Sequence, residues 1–199
     1  MLLEVRRKIA HILLGLFIIV TYNYGVLKTK HLFFAIIIFS VLSLISLKFK
    51  LPIISFLLKN FEREKFVKEF PFKGMIFFLV GCLLTLKIFS KDIALASIMI
   101  LTLGDSVSFL YGTFLGKIRL RFNKLKKLEG ILAGMLAAFL GALVFVDFIE
   151  AFFSSLIAMI VEGAGFRIGV NDIDDNIIVP LVAGTVIYLF KTGFKVFII

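Results

Sequence analysis

The sequence predicts an all-α fold: a polytopic integral membrane bundle of about seven transmembrane helices, with its N-terminus cytoplasmic. Three observations predict it. Of 199 residues, 61% are hydrophobic and 25 are phenylalanine, whereas soluble domains run at roughly 45–50% apolar. Charged residues make up 18%, against about 25% in soluble domains. The apolar residues fall in solid runs with basic breaks between them. An outer-membrane barrel would alternate apolar and polar residues instead, so helices remain as the way to satisfy the backbone in lipid. A soluble enzyme, a disordered chain and a disulfide scaffold are excluded. The single Cys82 can form no internal disulfide, and its apolar surroundings favour packing over reactivity.

A spanning helix takes about 20 residues. Seven use roughly 140, which leaves one domain, residues 1–199, with short connections. Span one is Ile9–Leu27. Arg6, Arg7 and Lys8 before it mimic a signal peptide, but the run is long and no small-residue cleavage site follows, so the expectation is an uncleaved span. Span two is His31–Leu47. The segment near 48–73 then mixes charges with Ile53, Phe56, Leu57, Phe61, Phe66 and Phe70. Their near-helical spacing predicts a cytoplasmic segment lying along the membrane surface. Span three is Gly74–Phe89, span four Ile93–Leu115, span five Gly130–Val146 and span six the short Phe148–Val161. A Gly- and Asp-rich loop covers 163–176, and span seven starts at Ile177. No long-period repeat is visible.

The net charge of +10 becomes topology. Lys and Arg concentrate in cytoplasmic loops. With the N-terminus inside, 17 of the 23 basic residues fall inside and 6 outside. The same orientation brings Glu4, Asp105, Glu129, Glu162, Asp172, Asp174 and Asp175 toward the cytoplasmic face, beside Arg7, Lys8, Lys117, Lys126 and Lys127. Asp105 is the sharpest feature, because an ionisable group inside a span is costly and defaults to a functional reading. The competing reading is a structural salt bridge. Carboxylate oxygens suit Mg²⁺ bound jointly with phosphates, and Lys and Arg contact phosphate. Together they read as a nucleotide–Mg²⁺ site at the mouth of the bundle. The alternative is a solvated loop surface and binding of anionic membrane lipids, which is the expectation for 48–73. Nucleic acid is not expected as a partner.

Familiar phosphate loops are missing. Between Gly112 and Gly116-Lys117 stand three residues, not four, and Ile118 follows where Ser or Thr is required. Gly163, Gly165 and Gly169 are off the dinucleotide spacing. The pairs Gly112/Gly116 and Gly130/Gly134 suit close helix packing. Gly130 and Gly134 also suit phosphate, since amides near a helix start can hold it. No Cys/His set suits zinc, and no Ser/His/Asp set is positioned. His11 shares a helix face with Arg7 and Lys8; alone it is as consistent with interfacial packing as with function.

These motifs together resemble the dolichol kinase and phytol kinase family of CTP-dependent membrane lipid kinases. Glu4-Val5-Arg6-Arg7-Lys8-Ile9-Ala10-His11 with Gly15 is similar to the family's opening basic–His signature. Leu103-Gly104-Asp105-Ser106, then Tyr111-Gly112 and Gly116-Lys117, resembles its glycine–aspartate block. Lys126-Lys127-Leu128-Glu129-Gly130 with Ala133-Gly134, and Val161-Glu162 with Asp174-Asp175-Asn176 and Pro180, resemble its later blocks. The likeness runs over almost the whole chain. Departures are Ser106, Val107 and Ser108 where the family often carries alanines, and a chain shorter than eukaryotic dolichol kinases. The signature of phosphatidate cytidylyltransferases is not found.

The resemblance implies transfer of the γ-phosphoryl group of CTP to the terminal hydroxyl of a membrane isoprenoid alcohol of dolichol, polyprenol, phytol or geranylgeraniol type. It implies Asp105, Lys127 and Glu129 as catalytic residues. Asp105, Glu162 and Asp175 would hold Mg²⁺. Arg7, Lys8, His11, Gly104 and Lys117 would contact nucleotide or phosphate, as would Gly130, Gly134 and Asn176. The alternatives are a diacylglycerol kinase, a cytidylyltransferase making a CDP-lipid, and a small transporter using Asp105 as an ion site.

Overall fold

The computed structural model describes residues 1–49, 51–120, 123, 126–165, 167–168, 171–172 and 174–193, the two pairs 167–168 and 171–172 in backbone only. Lys50, Arg121, Lys124 and Lys195, counted in the charge balance above, lie outside the described residues.

Each of the seven apolar runs folds as one helix. They are α1 (Leu2–Asn23), α2 (Thr29–Lys48), α5 (Lys73–Ile88), α6 (Lys91–Phe114), α7 (Leu128–Ala142), α8 (Phe148–Ala164) and α9 (Asp175–Lys191). The segment between the second and third runs forms two short helices, α3 (Pro52–Phe61) and α4 (Glu64–Glu69). Pro52 suits the first turn of α3, where its missing N–H costs nothing. The fold is therefore all-α, with one small exception. Arg167–Ile168 and Asn171–Asp172 pair as a two-residue antiparallel ladder inside the loop expected at 163–176.

By length and composition, α2 and α6 are long and apolar enough to cross a membrane, and α7 is apolar but shorter. Several boundaries differ from expectation. α1 runs from Leu2 to Asn23 and not from Ile9 to Leu27, so Lys8 stands within the helix. α7 stops at Ala142 and not Val146, because 143–146 turn over and tuck Val146 back into the core. α8 runs on to Ala164, so Glu162 stands within a helix and not after it.

The central helix is α6, packed by α1, α5, α7, α8 and α9. Its first half, Ile93 to Thr102, is an almost unbroken buried run, and the main core forms around it with Ile18, Phe78, Ala138 and Val179. Small residues set the close approaches. A Cβ at Gly134 would lie 2.5 Å from Gly104 O, and one at Gly130 would lie 2.5 Å from Ser108 O. The α6–α7 seam is thus glycine against backbone, the close packing expected for such spacings. Gly81 of α5 meets the start of α9, where its Cβ would come within 2.0 Å of Asn176 O. That carbonyl is the one Pro180, lacking an N–H, cannot bond within α9.

The outer surface is apolar in helical stripes. Leu13, Phe17 and Val20 face outward on α1, Phe34, Ile38 and Val41 on α2, and Leu132, Leu136 and Leu140 on α7. α3 divides its apolar residues. Ile54 and Leu58 pack with Phe72 and Ile76 in a second small core, while Ile53, Phe56, Leu57 and Phe61 remain exposed.

Candidate functional site

Alternating helix directions bring the first turns of α1, the second half of α6, the entrance to α7, the last turn of α8 and the first turn of α9 to one end of the bundle. The opposite end is marked by Lys91 Nζ donating to Asn23 O at 2.9 Å and by a Lys191–Glu150 pair at 3.7 Å.

At the functional end, Lys8 Nζ donates to Asp105 Oδ2 at 2.5 Å. Asp105 is 7% exposed, within one turn of the buried run on α6. Lys8 also lies 5.5 Å from the centre of the Phe109 ring, one turn beyond Asp105. His11 follows Lys8 on the same face, its ring 4.3 Å from Phe78. Its Nε2 is buried without a hydrogen-bond partner. Gly15, one turn further, lets α1 approach so closely that a Cβ there would collide with the Thr102 side chain at 2.2 Å. That glycine is what brings Lys8 and His11 within reach of Asp105.

A second ion pair joins Lys126 Nζ to Glu162 Oε1, with Asp175 Oδ2 3.9 Å from the same ammonium. Burial opposes the Lys126 charge, but the carboxylates of Glu162, Asp105 and Asp175 outweigh it and raise its pKa. Glu162 is fully buried, and its Oε2 has no partner. Asp174 caps α9 by accepting from Asn176 N at 3.1 Å and Asn176 Nδ2 at 2.7 Å. The Asn176 amide is thereby fixed beside the same cluster.

Two cavities flank this arrangement. The larger, about 340 Å³, reaches from Lys8, His11, Asp105 and Asn176 into an apolar space below α3. The smaller, about 220 Å³, is lined by Ser108, Gly112, Thr113, Gly116, Lys126 and Lys127.

Several expected site residues sit elsewhere or do something different. Glu129 accepts the backbone N–H groups of Lys117 at 3.0 Å and Ile118 at 3.0 Å. Its own amide and those two hold the carboxyl below its ordinary value. It clamps the chain leaving α6 onto the start of α7. Lys117 contributes its carbonyl, 3.5 Å from Lys127 Nζ. Arg7 lines the large cavity but pairs with Glu4 at 2.8 Å, and Arg63 reaches the same carboxylate at 2.8 Å. Burial works against the Glu4 charge, but Arg63 and Arg7 outweigh it and lower its pKa. Gly104, Gly130 and Gly134 form the helix seam. Lys8, His11, Asp105, Glu162, Asp175 and Asn176 do come together, with Lys126 between the last three acids.

Sequence reasoning missed Glu62, which is 6% exposed and lines the large cavity. It also missed Phe72, a non-glycine residue with φ of 61° at the cavity wall. Such backbone strain concentrates at functional sites, but no sequence pattern announces it.

Among the described residues no group of three or more His, Cys, Asp or Glu side chains stands ready to hold a metal ion. The donor chemistry nevertheless fits Mg²⁺ taken up together with phosphate, which needs one or two carboxylates from the protein. The unpartnered Glu162 Oε2 and the nearby Asp175 supply such oxygens. No protein-family model, no curated protein and no solved structure matches this chain.

Proposed function

We propose that this chain is a multi-pass membrane kinase. It transfers the γ-phosphoryl group of a nucleoside triphosphate to the terminal hydroxyl of a membrane isoprenoid alcohol. The choice of CTP rests on the resemblance to dolichol and phytol kinases alone. The observation that carries the reading is the meeting of Lys8–Asp105 and Lys126–Glu162–Asp175, from five separate stretches, at one end of a helix bundle. Seven helices, with outward apolar stripes on α1, α2, α7 and α8, support seven spans. The basic excess of the inner segments supports a cytoplasmic N-terminus and a site at the cytoplasmic face.

Phosphoryl transfer asks little covalent work of the protein; it asks for positioning and charge neutralisation. Lys127 offers its ammonium to the phosphates at the smaller cavity, which Lys126 also lines while paired with Glu162 and Asp175. Asp105 lines the larger cavity and accepts the hydroxyl proton or holds the alcohol in line. The alcohol oxygen forms a bond to the γ-phosphorus as the bond to the bridging oxygen breaks, and CDP leaves with the electron pair. Bound Mg²⁺, held by Glu162 and Asp175, would neutralise the phosphate oxygens. Asn176, fixed by Asp174, offers its amide to nucleotide or acceptor.

Incubating the purified protein with CTP or ATP, Mg²⁺ and a panel of lipid alcohols, including diacylglycerol, tests this. A lipid monophosphate with CDP is the expected product pair. Release of pyrophosphate would instead mean a CDP-lipid-forming cytidylyltransferase. Absence of nucleotide consumption with every alcohol would favour a transporter.

A further inference from the structure

We propose that the 340 Å³ cavity beneath α3 is the binding site for the hydrocarbon segment next to the acceptor's hydroxyl, and that α3 is its outer wall. The inference rests on the kinase reading for the identity of the alcohol, but the cavity itself is argued from its lining.

The cavity has two chemically distinct ends. One holds Lys8, His11, Asp105 and Asn176. The other is walled by Phe39, Leu58, Phe72 and Met75, with Phe78 packed against His11 between the two and Arg7 and Glu62 also on the lining. A water-soluble phosphate compound has no use for the second end, and a wholly apolar ligand would strand the first. A long-chain alcohol matches both, because its only polar atom is at one terminus. The hydroxyl can donate or accept, so it satisfies the buried His11 Nε2 in either tautomer. That nitrogen otherwise forfeits a hydrogen bond in a buried setting.

The opening also fits. Leu57 and Phe61 line the cavity, yet they are 40% and 42% exposed. The cavity therefore reaches the surface along α3 beside Leu57 and Phe61, with Arg7 and Glu62 on its lining. A chain longer than the cavity can continue outward at that point into lipid. α3 is tied over α1 at its far end by Arg6 donating to Asn60 at 2.7 Å and by Arg63 donating to Glu4 at 2.8 Å. Both ties are exposed, while Ile54 and Leu58 hold the inner face of α3 against Phe72 and Ile76.

The test uses full-length protein in lipid nanodiscs and a diazirine-bearing geranylgeraniol, with the labelled residues mapped by mass spectrometry. Labels are expected on α1 near Ala10 to Leu14, on α3 near Leu57 to Phe61, and on α5 near Phe72 to Phe78. Gly74 is the position from which to fill the cavity. A Cβ there meets nothing nearer than Arg7 Nη2 at 3.5 Å, so Gly74→Leu keeps the fold and occupies the space. It should cut labelling roughly tenfold, a change equivalent to 1.4 kcal/mol of binding. Leu132→Trp, on the outward face of α7, should leave it unchanged. Circular dichroism and gel filtration confirm that both variants remain folded. Labels confined to the outer faces of α2 or α7, or full labelling of Gly74→Leu, would overturn the site. The two readings fail separately: labelling as expected without any lipid phosphate sinks the kinase reading, whereas lipid phosphate with labels elsewhere sinks this one.

Discussion

Lys8 Nζ and Asp105 Oδ2 stand 2.5 Å apart across 97 positions of sequence, joining the start of α1 to the central helix. Both side chains are mostly buried, at 16% and 11% exposure. Breaking a buried pair from one side leaves a charge without a partner and costs about 3–5 kcal/mol. Removing both charges avoids that cost. Structure and chemistry thus make different demands on the pair, and variants can separate them.

Asp105→Asn is expected to abolish phosphoryl transfer, by roughly 10²–10³-fold or more, while the protein still reaches the membrane. Lys8→Met alone is expected to lower the melting temperature in detergent, and Lys8→Met combined with Asp105→Asn to restore much of it without restoring activity. Normal turnover by Asp105→Asn would remove Asp105 from the mechanism. A double variant no more stable than Lys8→Met would show that the pair carries no buried-charge penalty.

Lys126 and Lys127 are neighbours in sequence with different surroundings. Lys126 is committed to Glu162 and Asp175, whereas Lys127 faces the small cavity and only grazes Lys117 O at 3.5 Å. Lys127→Ala is expected to raise KM for the nucleotide roughly tenfold, the loss of about one charge-assisted contact, with KM for the alcohol unchanged. Lys126→Met is expected to destabilise the protein as well, because Glu162 is then left buried and unpaired. Steady-state kinetics varied in each substrate, with thermal melts alongside, checks both. A selective loss of alcohol affinity in Lys127→Ala counts against its place at the nucleotide.

Gly81→Ala tests whether the start of α9 is held where the cluster needs it. The added methyl would come within 2.0 Å of Asn176 O, a backbone atom that cannot simply rotate away. Overpacking of this kind costs about 1–3 kcal/mol. The expected result is a folded but less stable protein with impaired turnover, since Asp174, Asp175 and Asn176 must all shift. Gly25→Ala, in a turn with open space around it but φ of 74°, should lower stability without touching turnover. Full activity in Gly81→Ala would show that α9 can move without disturbing the site.

The seven helices were legible because solid apolar runs and charged breaks are properties of the chain itself. Asp105 was legible for the same reason: a carboxylate in an apolar run stands out at once. Convergence of Lys8, Glu162 and Asp175 on its neighbourhood followed from sorting charges to one face. What stayed hidden depends on side-chain direction. Nothing in Lys126-Lys127 says which lysine turns to Glu162. Glu129 reads as a candidate catalytic acid from its neighbours, yet its oxygens are taken by the Lys117 and Ile118 amides. Residues 53–61 show apolar spacing, but not that Leu58 walls a cavity while Leu57 and Phe61 stand at its opening.

Glu62 gives the site a pH dependence of stability with a definite sign. Burial raises its pKa above 4.5, against the lowering effects of the Arg63 amide and the Arg7 and Arg63 charges. An acid whose pKa is higher in the folded state binds its proton longer there than in the unfolded chain. Stability therefore falls as pH rises from the unfolded value through the folded one, and is flat above it. Glu62→Gln removes the charge at every pH and keeps a carbonyl oxygen able to accept from the Arg63 N–H, now 3.1 Å from Glu62 Oε1. The variant is expected to melt higher than the wild type at neutral pH, and the gap should close as pH is lowered below the carboxylate range. Melts of both proteins across that range check it. A wild type that melts higher than Glu62→Gln at neutral pH would mean that Glu62 is stabilised as the anion by Arg7 and Arg63, and that the cavity end beside α3 is held by charge and not strained by it.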